Sequence, residues 1–287
     1  DQINAALFTA LQDEENATCF YNCGIDNMQA DAESVQLVIG ASANAKQKTK
    51  QKVLSAKLLI GADGANSRVR QNFGFKQTFW DYDHCAIVAN VTTELPHGQV
   101  ARQAFTPFGP LAFLPLPDSF QSSIVFSQQS TQAERLMALS DSEFEKALLV
   151  AIDGHYGKCV LNTSRQSFAL RMRYARQWTA TRVALVGDAA HTIHPLAGQG
   201  ANLGLSDVKA LLEKIKHSSQ PVGHTRALRQ YERQQKAEAL KVIATMEGFK
   251  RLFDGEQALV KFARNLGLAG AHNIPVIKRF FMQQAMG

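Results

Sequence analysis

The sequence has few cysteines, and none of them stands in the spacing that zinc sites or redox-active pairs use. Its four cysteines are Cys19, Cys23, Cys85 and Cys159, and no Cys-x-x-Cys pair occurs. Disulfide frameworks and structural zinc sites need closely spaced or clustered cysteines. We therefore expect reduced thiols and a cytoplasmic protein.

Long apolar runs and strong charge are also missing. No stretch approaches the roughly 18–20 consecutive apolar residues that a membrane-spanning helix needs. The net charge is +6, and the one basic run, residues 46–52, alternates Lys with Gln and Thr. This pattern indicates a solvated hairpin tip, and without a clustered basic face we expect no nucleic-acid partner. Attraction to an anionic cofactor or peripheral contact with a membrane surface stays open.

Three motifs of common enzyme classes are absent. The sequence has no Gly-x-Ser-x-Gly nucleophile elbow, no P-loop and no Gly-x-Gly-x-x-Gly dinucleotide fingerprint. The glycines at 198, 200 and 204 come close to the fingerprint, but their spacing is wrong and they do not directly follow a strand. Serine hydrolysis and P-loop phosphoryl transfer are therefore disfavoured.

One stretch, residues 183–207, combines a strand, a glycine-rich turn and a helix. Residues 183–186 form a short apolar run that ends at Gly187-Asp188. Such a run predicts a buried strand with a carboxylate at its carboxyl end, where open α/β sheets bind ligands. Gly198 and Gly200 let backbone approach a flat ligand, and the following helix directs free N–H groups toward it. These features predict a site for a large, planar, partly anionic ligand such as a flavin.

A second strand end has a similar pattern. Residues 58–60 predict a buried strand that leads to Asp63-Gly64, followed by a helix over residues 65–71 with Arg68 and Arg70. Taken alone, this segment is equally typical of an Asp-Gly turn with a capped helix.

Together the two segments resemble the FAD-dependent aromatic hydroxylases of the p-hydroxybenzoate hydroxylase-like superfamily. The segment His-Pro-Leu-Ala-Gly-Gln-Gly at residues 194–200 is most similar to the corresponding segment of the branch that hydroxylates ubiquinone precursors. In that family the Gly-Asp motif contacts the ribityl and pyrophosphate part of FAD, and the Asp-Gly motif helps bind FAD and is implicated in pyridine-nucleotide binding. The resemblance implies these FAD-binding residues: Asp63, Gly64, Arg70, Gly187, Asp188, Pro195, Gly198, Gln199, Gly200, Ala201 and Asn202.

The resemblance also implies a function. It indicates a flavin-dependent monooxygenase that uses O2 and NAD(P)H to hydroxylate a polyprenyl phenol or quinol intermediate of ubiquinone biosynthesis. No catalytic side chain is assigned. The expected partner is a hydrophobic aromatic substrate with a prenyl tail, and a homo-oligomer or a complex with other ubiquinone-biosynthesis proteins stays open. The alternative is a non-catalytic fragment, or an assembly or lipid-binding subunit of that machinery.

The order of predicted elements indicates an α/β fold, α+β overall. Residues 1–77 and 181–250 are expected to form a Rossmann-like FAD-binding domain without its first βαβ unit. Residues 78–180 form an inserted antiparallel-sheet substrate domain, and residues 251–287 form a C-terminal helical segment. Strands are expected at residues 17–23, 35–39 and 53–60, and Ser142 is the expected cap of a helix over residues 142–152. Phe105, Phe108 and Phe113 are candidates either for an apolar cavity or for plain core.

Two further expectations follow. Asp188, His191 and His194 offer a carboxylate and two imidazoles, but all three lie in one loop, which disfavours a metal site. The absence of an initiator Met and of the dinucleotide fingerprint indicates a fragment. We therefore expect this chain alone to bind FAD weakly or not at all and to be inactive.

Overall fold

The computed structural model describes residues 2–41, 51–192 and 200–254. The first part of the chain contains α1 (Gln2–Gln12), β1 (Cys23–Ala30), β2 (Val35–Ala41), β3 (Lys52–Ala56), β4 (Leu59–Gly61) and α2 (Arg68–Asn72). The middle part contains β5 (Gln77–Thr93), β6 (Arg102–Thr106), β7 (Gly109–Pro115), β8 (Gln121–Gln129), α3 (Ser130–Ala138), α4 (Asp141–Ala151), β9 (Cys159–Leu161) and β10 (Gln166–Ala175). The last part contains β11 (Thr179–Ala180), β12 (Val183–Leu185), a 3₁₀ turn (Gly187–Ala189), β13 (His191–Thr192), α5 (Gly200–Lys216) and α6 (Thr225–Asp254). The predicted mixture of helix and sheet is confirmed.

The described strands form three sheets. The antiparallel sheet β1-β2-β3 is a meander, and the small sheet β11-β12-β4 contains the parallel pair β4 and β12. The largest sheet has the order β13-β10-β5-β8-β7-β6, with β9 paired to β5. Its long strands β5 and β10 run antiparallel to each other. β13 pairs with β10 at one edge of this sheet, and the hairpin of β6 and β7 lies at the other edge, beside β8.

Two predicted strands differ from the structure. Residues 17–22 lie outside helices and strands, and β1 starts only at Cys23. Phe20 and Tyr21 are good strand formers, but both are largely exposed, and propensity does not make a strand where no neighbour pairs. The predicted strand over residues 53–60 is two strands: β3 pairs antiparallel with β2, whereas β4 pairs parallel with β12 in another sheet.

The predicted helix cap at Ser142 is also wrong. The N-cap of α4 is Ser140, whose hydroxyl accepts a hydrogen bond from the N–H of Glu143. The Glu143 carboxylate accepts in return from the Ser140 N–H at 2.9 Å. Because a capping box needs the acidic residue three positions after the cap, Glu143 specifies Ser140 and not Ser142.

Two apolar cores hold these elements together. The first surrounds the small parallel sheet and includes Trp178, Leu185, Leu211 and Tyr231, all almost fully buried. The hydroxyl of Tyr231 in α6 donates to the carbonyl of Leu185 at 2.7 Å, which ties α6 to the end of β12. The second core lies between the large sheet and the helices α3 and α4.

The C-terminal part of the described chain is the long helix α6. It continues to Asp254, four residues into the segment predicted as separate, and residues 255–287 of that segment lie outside the described residues. Within the described helices, none is both long enough and apolar enough to cross a membrane.

Candidate functional site

The two predicted motifs follow neighbouring parallel strands. Leu59, Ile60 and Gly61 of β4 lie in register with Val183, Ala184 and Leu185 of β12. The N–H of Val186 then donates to the carbonyl of Gly61 at 3.0 Å. Because parallel strands end at the same edge of a sheet, the Asp63-Gly64 and Gly187-Asp188 motifs leave that edge side by side.

Asp63 binds the first N–H groups of the short helix α2, whose N-cap is Ser67. Its Oδ2 accepts hydrogen bonds from the N–H groups of Arg68 at 2.7 Å and of Val69 at 3.2 Å. Partial burial raises the pKa of Asp63, but hydrogen bonds from Ser67 and from the backbone N–H groups outweigh it, so the pKa lies below its usual value. The carboxylate is thus held ionised at the start of α2.

Arg70 joins the two motifs from inside the core. Its side chain is 5% exposed. Nη2 donates to the carbonyl of Ala65 at 2.7 Å, next to the Asp-Gly motif, and Nη1 donates to the carbonyl of Ala189 at 2.9 Å, next to Asp188. Burial lowers the pKa of Arg70, nearby Arg173 lowers it further, and Asp63 partly offsets both. One buried guanidinium therefore bridges segments that are far apart in sequence.

A second arginine connects the large sheet to the Asp-Gly motif. Arg173 of β10 donates through Nη1 to the carbonyl of Ala65 at 2.9 Å and to Oδ1 of Asn66 at 2.8 Å. Sequence reasoning did not identify Arg173. It lies on a strand of the other sheet, and only the three-dimensional packing brings it to Ala65.

The turn after β12 depends on two glycines. Gly187 has a φ of +59°, and its Cα lies so close to Gly204 of α5 that a Cβ placed on Gly204 would be 3.3 Å away. The turn presents Asp188 as an exposed residue at the sheet edge. Glycine at both positions allows α5 to pack directly on the turn that carries Asp188.

A buried polar pair, His191 and Asp207, lies behind this turn and was not predicted as a site. Oδ2 of Asp207 in α5 lies 2.7 Å from Nε2 of His191 and accepts from the N–H of Gly187 at 2.8 Å. The two side chains are 2% and 0% exposed, and the His191 ring stacks on Trp178 with centroids 4.8 Å apart. The partner of His191 is thus a carboxylate of helix α5, which the sequence did not reveal. In the described ranges no group of three or more His, Cys, Asp or Glu side chains could hold a metal ion.

Of the remaining predicted site residues, Gly64 and Gly200 each border open space. A Cβ at Gly64 or at Gly200 would meet no atom within 4 Å. Gly200, Ala201 and Asn202 form the first turn of α5, where backbone N–H groups lack helical acceptors. Pro195, Gly198 and Gln199 lie outside the described residues. Free N–H groups at the start of a helix suit an anionic part of a flavin dinucleotide, and an exposed carboxylate such as Asp188 suits its hydroxyl groups.

The three candidate phenylalanines separate in the structure. Phe113 is fully buried in the core beneath α3 and α4, whereas Phe105 and Phe108 are exposed at the hairpin of β6 and β7. They border a groove of about 660 Å³ on the side of the sheet that carries α3 and α4.

A family model and three curated relatives match most of the length of this chain. A family model described as "FAD binding domain" matches residues 2–246. Ubiquinone hydroxylase UbiL of Rhodospirillum rubrum is 36% identical over 235 residues, which cover 81% of this chain and 54% of the relative. The 3-demethoxyubiquinol 3-hydroxylase of Escherichia coli is 36% identical over 243 residues, with coverages of 82% and 60%. Ubiquinone biosynthesis monooxygenase COQ6 of Danio rerio is 34% identical over 288 residues, with coverages of 88% and 58%.

A solved structure gives the same result for the fold. The p-nitrophenol 4-monooxygenase PnpA from Pseudomonas putida DLL-E4 is similar with a TM-score of 0.76 at 17% identity, covering 98% of this chain and 70% of that one. At that identity the likeness concerns the fold alone. The chain spans between 54% and 60% of the length of the three curated relatives named above. The predicted family and its cofactor FAD are confirmed: because the family model matches most of the sequence, the chain belongs to the FAD binding domain family.

Proposed function

We propose that the protein is a flavin-dependent monooxygenase that hydroxylates an aromatic intermediate of ubiquinone biosynthesis, with O2 and NAD(P)H as co-substrates. The observation that carries the proposal is the parallel pairing of β4 with β12, which sets the Asp63-Gly64 and Gly187-Asp188 motifs side by side. The names of the curated relatives, all ubiquinone-biosynthesis hydroxylases or monooxygenases, support the substrate class.

The predicted residues would share the work of holding the cofactor. When bound, FAD supplies the activation of O2 and the transfer of one oxygen atom to the aromatic ring. The N–H groups of Gly200, Ala201 and Asn202 at the start of α5 would bind an anionic part of FAD. The exposed carboxylate of Asp188 would accept hydrogen bonds from cofactor hydroxyls. Arg70 would keep the two motifs at a fixed separation through the carbonyls of Ala65 and Ala189.

The substrate is proposed to lie against the inserted sheet of residues 78–180. The face opposite α3 and α4 carries a row of small apolar side chains in register: Val88 on β5, Val125 on β8 and Ala112 on β7. These positions are half-buried, so each keeps some apolar surface that an aromatic ring would contact. The names of the relatives support a hydrophobic aromatic substrate. A prenyl tail on that substrate, contact of the protein with a membrane surface and assembly with other proteins stay predictions.

The test uses the full-length protein with FAD, NADPH or NADH, and a prenylated phenol under ¹⁸O₂. We expect nucleotide oxidation that depends on the phenol, and one labelled oxygen atom in the product ring by mass spectrometry. Asp188→Asn should lower product formation at limiting FAD, while the exposed Asp141→Asn in α4 should not. Absence of labelled product with every prenylated phenol or quinol offered would refute the proposal.

A further inference from the structure

Asp207 is a charged residue in a place where an apolar residue would pack at lower cost. Its side chain is completely buried in α5, close to Trp178 and Leu211 of the first core. A buried carboxylate is strongly unfavourable unless donors compensate it. Here two donors converge on Oδ2, while Oδ1 has no hydrogen-bond partner in the described part of the chain. Two partners that converge on one oxygen of a buried carboxylate argue for a role other than filling space.

The two groups that Asp207 binds mark the ends of one short segment. Gly187 begins the 3₁₀ turn, and His191 begins the next strand; Asp188 lies between them. Gly187 has a φ of +59°, and its N–H donates to the carboxylate of Asp207. Gly204 of α5 lies directly against Gly187, so α5 brings the Asp207 carboxylate close to this N–H. His191 is fixed in turn by stacking on Trp178. Both ends of the segment are thus anchored to α5, and the exposed Asp188 lies between them.

We propose that Asp207 is a positioning residue that clamps residues 187–191 onto α5 and so fixes the direction of the Asp188 carboxylate toward FAD. This inference rests on the proposed FAD site. It does not depend on which substrate is hydroxylated, because its readouts are cofactor affinity and backbone protection.

The chain offers a matched control in the same core. Tyr231 is fully buried and donates one hydrogen bond to the Leu185 carbonyl, at the end of the strand that precedes the turn. Tyr231→Phe removes one buried hydrogen bond without touching Gly187 or His191. It should lower the stability of the same core and leave FAD affinity unchanged.

The central experiment is a double-mutant cycle on FAD affinity, measured by titrating the full-length apoprotein and following flavin fluorescence. Asp207→Leu removes both hydrogen bonds, keeps the branched shape of the side chain and should weaken FAD binding by about tenfold, because a charge-assisted contact is lost. In the Asp188→Asn background, the same change should weaken binding by less than about twofold, because the clamp acts through Asp188. Asp207→Asn keeps an oxygen acceptor and should rescue most of the affinity.

Full additivity of Asp207→Leu with Asp188→Asn would overturn the proposal, and so would unchanged FAD affinity in a folded Asp207→Leu protein. If Asp207→Leu does not fold, His191→Phe tests the proposal instead. This variant keeps an aromatic ring beside Trp178 and removes the contact between His191 and Asp207. Its loss of affinity should likewise vanish in the Asp188→Asn background. Hydrogen exchange of the wild-type protein adds a test without variants: strong protection of the Gly187 amide supports the clamp, and rapid exchange overturns it.

Discussion

Replacement of Arg70 by Met tests whether a buried guanidinium holds the two motifs together. The substitution keeps most of the apolar stem and removes the hydrogen bonds to the carbonyls of Ala65 and Ala189. A hydrogen bond involving a charged group contributes about 1.5–3 kcal/mol. The Ala189 bond counts in full, whereas the Ala65 carbonyl keeps its bond from Arg173 at 2.9 Å. Loss of an unfavourably buried charge offsets part of the sum, so we expect Arg70→Met to lower the free energy of unfolding by about 2–3 kcal/mol.

Urea denaturation at fixed FAD concentration measures this difference. Arg68→Met is the matched control, because Arg68 is exposed on the same short helix, and it should change stability by less than about 0.5 kcal/mol. Arg70→Lys should fall between the two, since one ammonium group cannot reach both carbonyls in the planar geometry of a guanidinium. An Arg70→Met protein as stable as Arg68→Met would refute the reasoning that the bridge joins the motifs.

Two further predictions concern the backbone and pH. Gly109→Ala should destabilise the protein by about 3 kcal/mol, because φ is +141° and a Cβ there would overlap the Ser127 carbonyl oxygen. Gly64→Ala should destabilise it by only about 1 kcal/mol, because Gly64 has a φ of +77° but borders open space. Equal melting temperatures for the two variants would contradict this. Asp63 has a lowered pKa in the folded protein, so its stabilisation is present above its usual pKa of 3.8 and is lost as the pH falls through the lowered value. Asp63→Asn should therefore flatten the acid side of the urea-midpoint profile, and a profile parallel to that of the wild type would count against this.

Local patterns predicted the parts of the site that depend on neighbours in sequence. An apolar run followed by Gly-Asp or Asp-Gly is enough to predict a strand end with a carboxylate, and both strands are present as β12 and β4. The start of α5 at Gly200 also agrees with the glycine-rich pattern. Strand propensity failed at residues 17–22 and across residues 53–60, because whether a segment is a strand, and in which sheet, depends on a partner that the local sequence does not show.

The buried hydrogen bonds of Arg70 and Asp207 could not be predicted from the sequence for a further reason. Arg70 was identified through a family resemblance as a cofactor residue, yet the hydrogen bonds of its buried guanidinium go to the backbone carbonyls of Ala65 and Ala189. Asp207 likewise holds the backbone N–H of Gly187. A backbone carbonyl or N–H is the same at nearly every residue, so no choice of partner residue reveals such a contact. A buried side chain that binds backbone groups therefore shows in the sequence only as a charged residue on an otherwise apolar face, as Asp207 does beside Ala210 and Leu211 of α5.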